Sequence, residues 1–317
     1  MSLPHPIAPP VTAPTVRGHL TILRVDHWIK NVFVIPGIVL AWFIEPESFA
    51  AAHAVSIATG LFAACLVSSS NYVLNELLDA NYDRVHPTKR RRPVPAGEVH
   101  EPLAYLQWIV VGVLGVTLGA SVSVQFAWVL VALWSMGCIY NIPPLRTKEV
   151  PHLDVLSEAA NNPVRLVAGW FLTSAAAWPP ATLLVSYWML GAFFMALKRF
   201  AERRTFAASA QIAMYRSSFR YYTEGRLLTA TTFYGSSAML FFGAFCVAYR
   251  PQLIVAFPVI AWAMAAYLSL GFDRKGPLQH PETLYRERSL FLPITLCVLL
   301  LLALLFVDLP LLSNVRS

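Results

Sequence analysis

An all-α, polytopic membrane protein is the fold class this sequence predicts, on three observations. The 317 residues are 57% hydrophobic and only 13% charged, where a soluble domain carries about a quarter charged residues. Several apolar runs reach the roughly 20 residues that span a bilayer as a helix. Lys and Arg gather in every second connection between those runs, the pattern of helices that alternate across a membrane with their positive loops inside. The four cysteines all lie in apolar runs without zinc or redox spacing, so they read as buried thiols.

Residues 1–16 are rich in Pro and small side chains and are expected to form a disordered tail before a single domain over 17–310. The segment Arg24-Val25-Asp26-His27-Trp28-Ile29-Lys30-Asn31 precedes the first apolar run. Trp28 suits an interfacial anchor, and Arg24 and Lys30 suit the cytoplasmic side. The first span, 32–44, is short and contains Pro36, which predicts a kink or an earlier start. The second, 50–75, ends in a polar cluster, and the Pro- and Gly-punctuated loop after it is basic. Spans three and four are expected at 103–120 and 125–141, the latter stopped by Pro143-Pro144 in Tyr140-Asn141-Ile142-Pro143-Pro144-Leu145-Arg146-Thr147-Lys148. The fifth begins polar, at His152-Leu153-Asp154, and runs to about 173. The sixth is expected at 181–197, followed by a basic amphipathic stretch, 201–225, suited to a membrane surface. Spans 227–248, 252–270 and 289–307 complete a count of nine. The positive-inside rule places the N-terminus and the polar loops in the cytoplasm, so the expected architecture is nine helices around a central cavity open to that side.

The polar cluster is Asn75-Glu76-Leu77-Leu78-Asp79-Ala80-Asn81-Tyr82-Asp83, followed by His86-Pro87-Thr88-Lys89-Arg90-Arg91-Arg92-Pro93. Spacing of three to four stacks Asn75, Asp79 and Asp83 along a helix, with Glu76 beside them. Carboxylates at a membrane helix end are expensive unless a cation sits among them. Grouped oxygen donors suit Mg²⁺, which shares its coordination with substrate phosphates, and the arginines that follow suit the phosphates themselves. Each half alone also reads as a polar helix end or a topogenic loop; together they point to a metal–phosphate site. Asp154, Glu158 and Asn161 or Asn162 form a second polar face, with Arg165 one to two turns on. No Ser/His/Asp order, P-loop or dinucleotide Gly pattern appears, and the histidines are scattered. The chemistry that fits is transfer of a phosphorylated or diphosphorylated substrate beside a lipid, with no nucleic acid partner.

At these residues the chain resembles the UbiA-type intramembrane prenyltransferase superfamily. Asn75 to Asp83 is similar to its N-D-x-x-D-x-x-x-D motif, with Glu76 where the family usually has Asp. Asp154 to Glu158 is similar to its second aspartate motif, with Glu158 where many members have Asp. A narrower resemblance, to the polyprenyl-phosphate (decaprenyl-phosphate) phosphoribosyltransferases, rests on His86 to Pro93, on Arg24 through Trp28 to Lys30-Asn31, on Arg165-Leu166-Val167-Ala168-Gly169 and on Lys198-Arg199 with Glu202. Tyr140 to Arg146 looks more like aromatic-acceptor members.

The resemblance implies a transfer of 5-phosphoribose from 5-phosphoribosyl diphosphate to a polyprenyl phosphate at an inner, plasma membrane. In it Asn75, Glu76, Asp79 and Asp83 hold Mg²⁺, and Lys89, Arg90 and Arg92 grip phosphates. Asp154 and Glu158 complete the polar site. Lys30, Arg165 and Lys198 meet the lipid phosphate or the sugar phosphate. The alternatives are an aromatic prenyltransferase using a polyprenyl diphosphate, with Tyr72, Tyr82, Tyr140 or Trp170 beside an allyl cation, and a transporter of a phosphorylated metabolite.

Overall fold

The structure, a computed structural model, describes residues 13–48, 53–84, 89–173, 175–206, 217–273, 278 and 287–307. Residues 1–12 of the expected tail, His86 to Thr88 and most of the stretch 205–216 lie outside the described residues. Among the described residues the regular elements are all helical. In chain order the α-helices are α1 (Val16–Thr21), α2 (Ile35–Ile44), α3 (Ala54–Asp83), α4 (Glu101–Ala120), α5 (Val124–Asn141), α6 (Leu153–Trp170), α7 (Ala181–Phe206), α8 (Glu224–Tyr249), α9 (Phe257–Leu270) and α10 (Arg288–Phe306). Eight helical stretches among the described residues are long and apolar enough to cross a membrane. The expected count of nine differs by α6, an 18-residue helix whose Asp154, Glu158 and Arg165 make its composition too polar for that class.

Element boundaries depart from the sequence reading for local reasons. The first span has the earlier start that Pro36 allowed: its helical stretch is Val16–Ile44, with a 3₁₀ stretch, Val25–Val34, ahead of α2 and Pro36 in the first turn of α2, where a missing N–H costs nothing. The second span does not stop at residue 75. α3 runs 30 residues, about 45 Å at 1.5 Å per residue, so the acidic motif forms its last turns. α7 likewise continues through Arg203-Arg204 instead of handing over to a surface stretch at 201.

The described chain forms two compact units. The first comprises residues up to 32 together with 54–147. In it α4 and α5 both pack on α3 and on each other. The segment before the first span is laid along α3. Asn31 Nδ2 donates to Cys65 Sγ at 3.1 Å, Ser68 Oγ donates to Asn31 Oδ1 at 3.2 Å and Trp28 Nε1 donates to Ser69 Oγ at 2.8 Å. Lys30 Nζ and the Arg24 guanidinium stand 5.7 and 6.0 Å from the Tyr72 ring centroid. Positions 65, 68, 69 and 72 form one helical stripe, so Trp28 serves as a tether to α3 and the two cations are carried towards the acidic end of that helix.

The second unit comprises 33–53 together with the chain from 148 onward. α7 packs on α6 and α8, and α2 crosses α6. That crossing needs glycine on both helices. A Cβ on Gly37 would run into the Leu166 carbonyl oxygen, and one on Gly169 into that of Val34. In lipid there is no hydrophobic gain from bringing two apolar helices together, so close backbone approach through small residues supplies the attraction. Val155, Ala159, Ala192, Phe193, Ala196, Phe200, Phe219 and Tyr222 form a core around the start of α6.

Candidate active site

The acidic motif divides between two neighbouring stripes of α3, because a repeat of 3.6 residues per turn displaces each fourth residue by about 40°. Asn75 and Asp79 lie on one stripe. Asn75 Nδ2 donates to Asn141 Oδ1 at 2.6 Å and to Asp79 Oδ2 at 3.3 Å. Asn141, the last residue of α5, is held in turn by the Gly137 carbonyl at 2.9 Å. Arg146 completes this side. Its Nη2 donates to Asp79 Oδ1 at 3.1 Å, its Nη1 donates to the Asn141 carbonyl at 3.1 Å, and its guanidinium stands 5.5 Å from the Tyr82 ring centroid. The prolines that end α5 turn the chain back, and Arg146 itself has a φ of 28°, in the positive region that non-glycine residues rarely adopt.

Glu76 and Asp83 lie on the second stripe and face the loop that follows α3. Arg92 Nη1 donates to Asp83 Oδ2 at 2.6 Å, and the Asp83 side chain is only 3% exposed. Glu76 is buried, and its Oε1 accepts the Val94 N–H at 3.0 Å. Glu76 thereby pins the Pro93–Pro95 turn to α3, which sets the position of Arg92. Sequence spacing stacked the whole motif on one face; the structure gives Asn75 and Asp79 one set of partners, and Glu76 and Asp83 another.

The second polar set, in the other unit, is organised by Arg199 of α7. Its side chain is 2% exposed, and it meets Asp154 Oδ2 at 3.2 Å, Glu158 Oε2 at 2.8 Å and Glu202 Oε2 at 3.0 Å. Asp154 is fully buried and also accepts from Ser218 Oγ at 3.3 Å and from the Tyr222 hydroxyl. That hydroxyl accepts the His152 N–H at 2.7 Å. Burial, then the charge of Asp154 and its hydrogen bond, push the Tyr222 phenol above its ordinary value. Tyr222 therefore stays a donor. Both Asp154 oxygens accept from protein donors, which ties α6, α7 and the Ser217–Arg220 turn to one another. Glu158, at 30% exposure of its side chain, is the more accessible carboxylate of this set.

The remaining predicted residues fall as follows. Lys89 and Arg90 are half-buried in the 3₁₀ turn Lys89–Arg91, just before Arg92. Tyr140 is half-buried beside Asn141 at the end of α5, and Lys30 is half-buried against Tyr72. Arg165 lies three turns into α6 and Lys198 next to Arg199 on α7, both half-buried. Arg146, Asn141, Arg199 and Tyr222 were not singled out as site residues. The signal for Arg199 was available, since an arginine inside an apolar run with Glu at i+3 needs partners. Tyr222 carried no such signal. Among the described residues no three His, Cys, Asp or Glu side chains gather as a metal-holding group.

Comparison with known proteins identifies the family. The family model of the UbiA prenyltransferase family matches residues 32–292. The decaprenyl-phosphate phosphoribosyltransferase of Mycobacterium tuberculosis is 31% identical over 230 residues, which cover 72% of this chain and 73% of that protein. Its namesake from Mycolicibacterium smegmatis is 31% identical over 240 residues, covering 72% of this chain and 70% of that protein. The solved structure of a UbiA homolog from Archaeoglobus fulgidus bound to GPP and Mg²⁺ superposes with a TM-score of 0.66 at 18% identity, over 90% of this chain and 99% of that one; at that identity the likeness is one of fold. With a family match over most of its length, a helical fold shared with a solved homolog and the acidic motif at the end of α3, this chain belongs to the UbiA prenyltransferase family of multi-pass membrane transferases.

Proposed function

We propose that this chain transfers 5-phosphoribose from 5-phosphoribosyl diphosphate to a polyprenyl phosphate, with release of diphosphate. The observation that carries the reading is the identity, at 31% over some seven-tenths of both chains, to proteins named decaprenyl-phosphate phosphoribosyltransferase. The arginine-rich loop that ends in Arg92 supports it, because the donor brings two phosphate groups more than the sugar itself needs.

Mg²⁺ fits the first site. Asn75 and Asp79 are hard oxygen donors one turn apart, and Asp83 lies one turn further. Such a short donor set suits an ion that takes one or two carboxylates and completes its shell from water and substrate phosphates. When bound, Mg²⁺ would neutralise charge on the departing diphosphate. Asn75, Asp79 and Asp83 would hold it, and Glu76 would support them through the Val94 turn. Lys89, Arg90 and Arg92 would orient the diphosphate, Arg92 being fixed by Asp83.

In the reaction an oxygen of the polyprenyl phosphate forms a bond to the anomeric carbon, and the bond from that carbon to the diphosphate oxygen breaks. The attacking oxygen is already anionic, so no residue has to remove a proton. Positioning and electrostatic complementarity do most of the work. By the resemblance, Lys30 and Tyr140 of the first unit, and Arg165, Lys198 and Glu158 of the second, are each assigned to substrate phosphate or sugar groups, and Arg199 holds Asp154 and Glu158 in place. The reaction would take place at the plasma membrane, with the N-terminus and the basic loops in the cytoplasm, as the positive-inside rule gives.

Purified protein with Mg²⁺ would be offered 5-phosphoribosyl diphosphate with polyprenyl phosphate and, separately, polyprenyl diphosphate with 4-hydroxybenzoate. Mass spectrometry of the lipids is expected to find a lipid-linked phosphoribose in the first, abolished by EDTA and restored by excess Mg²⁺. A prenylated ring in the second, with no product in the first, would overturn the reading and move the same carboxylates to aromatic prenylation.

A further inference from the structure

Arg146 stands where the Proposed function needs a cation. Its Nη2 is 3.1 Å from Asp79 Oδ1, the side chains of the pair are 13% and 21% exposed, and Asn75 Nδ2 is 3.3 Å from the other oxygen, Oδ2. A divalent ion that takes Asp79 as a ligand meets the positive charge of the guanidinium at once, and in a partly buried setting that charge is weakly screened. The arginine has somewhere to stay when it is displaced. Its Nη1 is anchored on the Asn141 carbonyl at 3.1 Å, and its plane stands against Tyr82. Held there, the planar fork can exchange a carboxylate for a phosphate, the other oxyanion whose geometry it matches.

We propose that Arg146 is the resident counter-charge of Asp79, and that it passes to the diphosphate group of the substrate when a divalent cation takes that carboxylate. The inference rests on the assignment of Asp79 to the metal. It makes Arg146 a substrate-binding residue and orders the events: cation entry releases the arginine that the anion then needs.

The test is Mn²⁺ titration of the purified full chain followed by electron paramagnetic resonance, without substrate, in wild type and in Arg146→Gln, Arg146→Lys, Asp79→Asn and Arg84→Gln. Arg84 is a charge control: it is exposed at the same end of α3 but bonds Asn81 at 3.0 Å and stands 4.0 Å from Glu101. Arg146→Gln is expected to tighten Mn²⁺ by at least about threefold, the scale of one lost competing ion pair, with Arg146→Lys near wild type and Arg84→Gln changed by less than about half as much. Inorganic diphosphate should bind the Mn²⁺-loaded Arg146→Gln protein more weakly than wild type. Unchanged or weaker Mn²⁺ binding in Arg146→Gln, or tightening no greater than in Arg84→Gln, overturns the inference and leaves the metal assignment standing. Wild type that binds no Mn²⁺, or an Asp79→Asn variant that binds it as wild type does, overturns both.

Discussion

Arg199 shows how a single buried cation can gather several carboxylates. Three carboxylates reach it, and one of them, Asp154, has no exposed surface. Removing one partner of such a set leaves a buried charge without its counter-ion, which costs more than the intact pair contributes. Arg199→Met is therefore expected to destabilise the protein by about 3–5 kcal/mol, read as a lowered thermal midpoint in detergent. Glu202→Gln, which leaves Asp154 and Glu158 paired, should cost well under half of that. Equal losses in the two variants would mean that Asp154 does not depend on Arg199. Tyr222 belongs to the same cluster and has a pH signature. Its raised folded-state value means that its stabilising contribution is fully present below the ordinary tyrosine value of about 10 and is lost as pH rises beyond it. The difference in thermal midpoint between wild type and Tyr222→Phe should be flat from about pH 6 to about pH 9 and shrink above about pH 10. A slope inside the flat range would show that another group sets the phenol's environment.

At the scale of elements, the crossing of α2 with α6 depends on backbone contact at Gly37 and Gly169. Alanine at either position must push the helices apart, and overpacking of this kind costs about 1–3 kcal/mol. The variants are expected to unfold at lower temperature, while Gly225→Ala, where a Cβ meets nothing within 4 Å, should be neutral. If Gly37→Ala and Gly169→Ala are as stable as Gly225→Ala, the gain in helix propensity outweighs any cost of close approach. In the first unit the comparable element is the last two turns of α3. Asp83→Asn weakens the pairing with Arg92, and the loss of that placement together with a proposed metal oxygen should lower turnover by at least about a hundredfold, with thermal stability changed far less. Turnover like wild type would remove Asp83 from the site.

For the whole molecule, charge distribution sets orientation. The loop before α4 holds Arg90, Arg91 and Arg92, while the connection from α4 to α5, at 121–123, has no charge. In a cysteine-less background Arg91→Cys is expected to react with a membrane-impermeant maleimide only from the cytoplasmic side, and Ser121→Cys only from the other. Both residues are exposed, so access is limited by the bilayer alone. Labelling of both from one side would invert or break the topology assigned here.

Membrane class, approximate helix positions and the family were legible in the sequence, because the signals for each are encoded locally. Apolar length, loop charge and three-to-four spacing act within a few residues, and the acidic motif followed by its arginines is one continuous stretch, from 75 to 93. Partner choice was not legible, because it depends on residues far apart in the chain. The meeting of Asp79 with Arg146 joins residues 67 apart, and that of Asp154 with Tyr222 joins residues 68 apart. Spacing showed that the carboxylates were grouped. Only tertiary packing decided that Asp154 is saturated by protein donors, that Glu76 pins a loop, and that an arginine beyond two prolines returns to the aspartate at the centre of the motif.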